Sequence, residues 1–388
     1  MGRRCVDFMK RRNYSESGIR LIDKYRGCLL GGAVGDALGF AVEFMSEESI
    51  RSTYGESGIT SYKLLDNVAQ ISDDTQMTLF TANGLLLKEV RSLACGDDMS
   101  HAECIALCYS DWRRTQYEKY PLSGLSFSWL VNIPQLFDQR APGCTCLSAL
   151  TPFSLDSIGT IANPINRSKG CGGVMRVAPV GLYFKDRSQI KTADLLAAEA
   201  AAITHGHELG YIPAAALAHI IQLVSHNKNI TLIRAVKDML AKIPVLFRGA
   251  EHIKEFTELI KKAVELSKKN IPDIEAIHML GEGWVAEETL AISIYCALKY
   301  QDDFKKAIIS AVNHKGDSDS TGAVTGNILG AYLGMSAIPD EYLDKLELKD
   351  VILELADDLA MCGNVDLSFL SSDVGWIPKY VDRNYKPK

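Results

Sequence analysis

From Tyr25 onward, apolar residues recur at three- and four-residue spacing along nearly the whole chain, the period of helices that bury one face. The spacing predicts helices over roughly 23–43, 75–93, 100–118, 124–139, 171–184, 192–205, 211–226, 231–246, 250–268, 273–280, 284–300, 302–313, 320–335 and 349–361. The run from Leu195 to Ile203 is dominated by alanine and leucine, the strongest helix formers. Convincing apolar–polar alternation, the mark of a half-buried strand, is absent. Turn residues cluster at Arg140-Ala141-Pro142-Gly143 and Asn163-Pro164-Ile165-Asn166. No stretch reads as an interdomain linker. The expectation is one all-α domain, a compact orthogonal bundle of many helices, over residues 25–388. Residues 1–24, with Arg3, Arg4, Lys10, Arg11, Arg12 and Arg20, are expected to form a loosely ordered basic extension.

Two of the predicted helices carry glycine at every fourth position: Gly27, Gly31, Gly35, Gly39 and Gly322, Gly326, Gly330, Gly334. That spacing puts each set on one helix face. Each glycine costs a helix ~1 kcal/mol against alanine, a cost that close approach of a neighbouring backbone can offset. Membrane helix pairs use a similar pattern, but Asp36 and Asn327 interrupt these segments. The two helices are expected to pack tightly on each other at the centre of the fold.

Composition narrows the functional classes. The 388 residues are 47% hydrophobic and 23% charged, normal for a globular protein with a sizeable core. A net charge of −6 carries no basic footprint for nucleic acid. Ten scattered cysteines without a CxxC pair disfavour a zinc ribbon, and a reduced, cytoplasmic setting is expected. The N-terminus lacks an apolar h-region, and no run of ~20 apolar residues suggests a bilayer span.

The chemistry concentrates in two acidic clusters, Ser72-Asp73-Asp74-Thr75 and Asp317-Ser318-Asp319-Ser320-Thr321. Each stands at or near a predicted helix start, where acidic residues also serve as caps. Carboxylates and hydroxyls are the hard donors that Mg²⁺, Ca²⁺ and Mn²⁺ choose. The EF-hand spacing is missing. On the residues alone, caps and metal ligands both stand. The Gly170-Cys171-Gly172-Gly173 turn before a helix-like run suits a phosphate nest or an ordinary helix start. His205-Gly206-His207 suggests a transition-metal site, disfavoured beside hard-oxygen clusters. Trp284 beside a glycine turn suits the core or a stacked adenine. Loop residue Asp156 suits solvent or a leaving group.

Five pieces, in order, resemble the ADP-ribosylglycohydrolase family, its arginine-specific members most closely. They are Tyr25-Arg26-Gly27 with Gly35-Asp36-Ala37-Leu38-Gly39 and Glu43-Phe44; Ser72-Asp73-Asp74-Thr75; Gly170-Cys171-Gly172-Gly173-Val174-Met175-Arg176-Val177-Ala178-Pro179; Thr204-His205; and Gly316-Asp317-Ser318-Asp319-Ser320-Thr321-Gly322. They span roughly Tyr25 to Gly334. The resemblance implies an all-α fold with a binuclear metal cleft. It implies two Mg²⁺ or Mn²⁺ ions on Ser72, Asp73, Asp74, Asp317, Asp319 and Ser320. It assigns chemistry to Glu43, and substrate contacts to Gly170, Cys171, Gly172, Gly173, Met175 and His205. Beyond the resemblance, Asp74 or Asp317 is expected to accept the proton of the attacking water, with Glu43 or the loop carboxylate Asp156 as the acid toward the leaving group. The implied reaction removes ADP-ribose from mono-ADP-ribosylated protein by cleaving its bond to arginine. Ser72 and Ser320 stand where relatives often have threonine, which keeps a hydroxyl. Cys171-Gly172 stands where many have Asn-Gly, which loses an amide. The alternatives are an O-linked substrate (serine or acetyl) and an immunity-type protein that binds an ADP-ribosylating toxin, using the basic extension.

Overall fold

The computed structural model describes residues 16–151, 153–362, 375–383 and 385–387. Their α-helices, in chain order, are α1 (Glu16–Gly39), α2 (Glu47–Tyr54), α3 (Asp73–Cys95), α4 (His101–Tyr117), α5 (Cys144–Ala149), α6 (Ala178–Tyr183), α7 (Ile190–Ala202), α8 (Glu208–His226) and α9 (Leu232–Leu246). There follow α10 (Ile253–Leu266), α11 (Asp273–Leu280), α12 (Ala286–Lys299), α13 (Phe304–Val312), α14 (Ser318–Leu333), α15 (Asp340–Leu343), α16 (Lys349–Met361) and α17 (Trp376–Tyr380). The fold is all-α. Among the described residues, β pairing is limited to three isolated bridges, Leu65 with Val68, Ala69 with Leu346 and Gly170 with Val285.

The two glycine-faced helices, α1 and α14, form the central pair. A Cβ added at Gly27 would strike the Gly330 carbonyl, one at Gly31 the Gly326 carbonyl, one at Gly35 the Gly322 carbonyl, and one at Gly39 the Ser318 carbonyl. Residue numbers rise along one helix as they fall along the other, so the pair is antiparallel. The reciprocal clashes at Gly322, Gly326 and Gly330 show backbone packed directly on backbone. Asn327 crosses this seam and donates to the Cys28 carbonyl at 2.9 Å. Gly334 ends α14 at φ +91°, outside the ordinary range of other residues. Gly326→Ala forces the two backbones apart and is expected to destabilise the protein by ~1–3 kcal/mol, the usual cost of overpacking. Denaturant unfolding of the variant measures it, and an unchanged midpoint would mean that the helices separate freely.

Around this pair lie helices whose apolar faces complete one core. Helix α8 is the most apolar, long enough by composition to cross a bilayer, but its surface is covered by neighbouring helices. Arg26 on α1 makes a bidentate pair with Asp357 on α16, both contacts at 2.6 Å. Asp358 on α16 receives Lys379 and the Tyr380 hydroxyl, each at 2.7 Å, and so fastens α17.

The described structure departs from the sequence pattern in identifiable places. Residues 124–139 form two short 3₁₀ turns, Trp129–Asn132 and Pro134–Phe137, instead of one helix. Pro134 has no N–H and keeps Ile133 extended, which stops an α-helix there. The stretch 171–184 is likewise split, into the 3₁₀ turn Cys171–Gly173 and α6, with Pro179 in the first turn of α6. The first fifteen residues of the expected extension lie outside the described residues; from Glu16 onward the chain is already helix α1.

Candidate metal and substrate site

The antiparallel arrangement of α1 and α14 sets the C-terminal end of α1 against the first turn of α14, Gly39 beside Ser318. Asp36, one turn back on α1, brings a third helix to the same point. Its carboxylate accepts from the Ser72 N–H at 2.9 and 3.1 Å, from the Thr75 N–H at 3.1 Å and from the Thr75 hydroxyl. Helix α3 therefore starts where α14 starts. Ser72 caps α3 by accepting from the Asp74 N–H at 3.2 Å, and Asp317 caps α14 by accepting from the Ser320 N–H at 3.3 Å. The two acidic clusters meet directly: the Ser320 hydroxyl donates to Asp74 Oδ2 at 2.8 Å across 246 positions of sequence. Two helix N-termini converge there, each favouring negative charge.

The result is a buried acidic pit. Asp36, Asp73, Asp74, Asp317 and Asp319 are buried, and Glu43, in the turn after α1, is 8% exposed. Asp73 Oδ2 accepts from the Gly143 N–H at 3.1 Å, and Asp319 accepts from the Ser320 N–H at 3.0 Å. These bonds do not neutralise the set. Neighbouring cations are engaged elsewhere, Arg140 with Asp138 and Glu347, Lys169 with Glu287, and none of the six acids forms an ion pair among the described residues. Burial, followed by repulsion from Asp319, raises Asp73, Asp74 and Asp317 well above the usual carboxylate range. The same two causes push Asp36 up to about 7. Glu43 is pushed up to about 10 by burial, then by Asp319, Asp317, Asp73 and Asp36. Its Oε2 is buried without a hydrogen-bond partner.

As the side chains stand, no three His, Cys, Asp or Glu groups among the described residues converge closely enough to hold an ion. In kind, however, the donors fit a hard divalent cation: carboxylates with no counter-charge, the hydroxyls of Ser72 and Ser320, and the orphaned Oε2 of Glu43.

The glycine turn closes one side of the pit. The Cys171 N–H donates to the Trp284 carbonyl at 3.2 Å and the Gly170 N–H to Ser168 Oγ at 3.4 Å, so two of the turn's N–H groups are engaged within the protein. The Cys171 thiol is raised well above its ordinary value by burial, then by Asp317 and Asp74, which places it against the carboxylates. A Cβ at Gly172 would lie 2.8 Å from His205 Cε1 and 2.9 Å from Cys146 Sγ, so the turn abuts the imidazole. Gly173 packs on the Gly210 carbonyl at the start of α8. Met175 is buried below the junction, its Sδ 4.0 Å from the Ser320 hydroxyl. His205 and His207 turn to different partners, Thr204 at 2.8 Å and the His252 ring at 4.7 Å. Asp156 lies exposed in the 3₁₀ turn Leu155–Ser157, and among the described residues no contact joins it to the carboxylates. Trp284 is 40% exposed and stacks on Phe44, 75% exposed, with centroids 6.1 Å apart at 22°. Asp36 is the site residue that the sequence reading left without a role; its signal was a lone acid within a glycine face.

Comparison with known proteins converges on one group. The profile of the family described as ADP-ribosylglycohydrolase matches residues 17–366. The ADP-ribosylhydrolase ARH3 of Mus musculus is 25% identical over 366 residues, covering 85% of this chain and 89% of that protein. The ADP-ribosyl-[dinitrogen reductase] glycohydrolase of Rhodospirillum rubrum is 28% identical, covering 86% and 93%. The ADP-ribosylarginine hydrolase Tri1 of Pseudomonas putida is 23% identical, covering 87% and 78%. A solved structure titled "ADP-ribosylglycohydrolase-related protein complex" superposes with a TM-score of 0.56 at 25% identity, over 88% of this chain and 99% of that one.

Proposed function

The chain belongs to the ADP-ribosylglycohydrolase family, and on that premise we propose that it is a metal-dependent hydrolase that frees ADP-ribose from arginine side chains of mono-ADP-ribosylated protein. The observation that carries the reading is the Ser320–Asp74 hydrogen bond at 2.8 Å, which joins two acidic clusters into one pit without a counter-charge. Ser72, Asp73, Asp74, Asp317, Asp319 and Ser320 are the residues that would hold two Mg²⁺ or Mn²⁺ ions. Bound there, the ions supply Lewis acidity and a grip on the ribose hydroxyls.

Cleavage of a glycosidic bond passes through an oxocarbenium-like state that needs a proton for the leaving group and an activated water. Asp74 and Asp317 lie in the pit and can take a proton from water. Glu43 stands at its edge, beside exposed Phe44, and can give one to the leaving nitrogen. An arginine leaving group is planar and cationic. It suits a mouth that offers acidic groups and the exposed faces of Phe44 and Trp284. The name of the Pseudomonas putida relative specifies arginine.

A second reading is an O-linked substrate, left open by the mouse relative, which is similar over 85% of this chain and is named an ADP-ribosylhydrolase with no mention of arginine. One experiment separates the two. Peptides bearing ADP-ribose on a defined arginine or a defined serine are incubated with Mg²⁺, with Mn²⁺ and with EDTA. The expected result is release from arginine that stops in EDTA. Faster release from serine would select the second reading, and equal turnover in EDTA would remove the metals.

A further inference from the structure

Arg176 is wholly buried, and no carboxylate pairs with it among the described residues. Its guanidinium donates instead to the Ala200 carbonyl at 3.1 Å and to Thr204 Oγ1 at 2.6 Å. It also contacts Met77 Sδ at 3.3 Å and Cys146 Sγ at 3.4 Å, and sits 4.3 Å from the centre of the Tyr109 ring. A buried cation without a counter-ion is costly, so its retention calls for a reason. Arginine only donates, so Thr204 Oγ1 accepts from it and keeps its own proton to give elsewhere. His205 Nδ1 lies 2.8 Å from that oxygen. An unprotonated imidazole nitrogen is a better acceptor than the Cys146 sulfur, the other atom near this hydroxyl.

We propose that Arg176 and Thr204 are positioning residues that fix His205 in the tautomer with hydrogen on Nε2, a constant donor toward the ADP-ribose of the substrate at the Gly170–Gly172 turn. The geometry on that side agrees. A Cβ at Gly170 would lie 3.3 Å from Nε2 and one at Gly172 3.2 Å from it, so the Nε2 edge faces the turn. Nδ1 is the nitrogen bonded to Thr204, and among the described residues no protein group bonds Nε2. Burial, then the charge of Arg176, holds His205 down at about 3, so the ring is neutral and carries a single N–H. The neighbouring acids of the pit play no part in this chain of bonds. The tautomer is a property of the protein itself; its use for ADP-ribose rests on the function proposed above.

The test has two arms on the full chain. In protein with ¹⁵N-labelled histidine, long-range ¹H–¹⁵N spectra report which ring nitrogen carries hydrogen, and His205→Gln identifies the resonance. The wild type is expected to show hydrogen on Nε2 and a bare Nδ1, and Thr204→Val to shift toward a mixture. Hydrogen on Nδ1 in the wild type overturns the proposal, and this holds even if Thr204→Val does not fold. In calorimetry with free ADP-ribose, Thr204→Val is expected to bind about tenfold more weakly, the worth of one hydrogen bond, and Thr204→Ser to restore binding. On a His205→Gln background, Thr204→Val is expected to add nothing. A second tenfold loss there would show that Thr204 acts on packing and not through His205, which also overturns the proposal. Failure of wild-type protein to bind ADP-ribose would count against the proposed function, while the spectrum alone would still decide the tautomer.

Discussion

Asp317→Asn is expected to lower kcat/KM for ADP-ribose release about a thousandfold, some 4 kcal/mol of lost transition-state stabilisation, with the fold intact. Asparagine caps a helix as well as aspartate does, and its oxygen can still accept from the Ser320 N–H as Asp317 does at 3.3 Å. The start of α14 is therefore kept. What disappears is one anionic donor of the pit, and with it a ligand that a hard cation needs. The same substitution carries a second, opposite effect. Asp317 is buried among like charges, and burial and Asp319 both oppose its ionisation. Its neutral replacement removes that repulsion, so the variant should melt at a higher temperature than the wild type in EDTA. Activity, Mn²⁺ affinity and melting in EDTA are the three readouts. A variant with full activity would take Asp317 out of the site. A lower melting temperature in EDTA would show that its role is a structural cap.

The legible parts of the fold were those with local causes. The fourfold glycine spacing of α1 and α14 has one economical explanation, close backbone approach, and the two helices pack in that way. Helix α4 announces itself by period and cap, Ser100 and Glu103 forming a capping box at its start, and α16, which has no side-chain cap, by period alone. The stretch 124–139 misled because its apolar spacing is helical while Pro134 forbids the helix. The two acidic clusters were each visible, but their meeting was not. It depends on the antiparallel register of α1 and α14 and on Asp36 holding the first turn of α3. Neither is written in any window of sequence. Arg176 and Thr204 were visible only as letters of two motifs. That they touch, at 2.6 Å, and that the hydroxyl then reaches His205, are facts of tertiary packing between α7 and the segment after the glycine turn.

The largest effect on stability is expected from divalent cations, and it should grow steeply with pH. In cation-free protein, burial and mutual repulsion raise Asp73, Asp74 and Asp317 well above the usual carboxylate range, Asp36 to about 7 and Glu43 to about 10. The unfolded chain loses these protons near pH ~4. A folded pKa above the unfolded one means that the folded state retains protons the unfolded state has shed. The contribution of such a group is full below pH ~4 and is lost as pH rises through the folded value. Cation-free protein therefore gives up stability from this site between about pH 4 and 7 for Asp36, and on toward about 10 for Glu43. Cations reverse the trend because they bind the deprotonated donors. Each proton displaced weakens binding about tenfold per pH unit on the acid side. Near pH 5 the ions should add little. Near pH 8, with free Mg²⁺ or Mn²⁺ at about a hundred times its Kd, each ion should add ~2.7 kcal/mol. Thermal melts at several pH values, in EDTA and in cation, measure the difference directly, and other titrating groups cancel because they are common to both curves. The expected result is a separation that widens from pH 5 to pH 8 in the wild type and narrows in Asp317→Asn. A separation that stays constant with pH would show that the ions bind elsewhere than on these buried carboxylates.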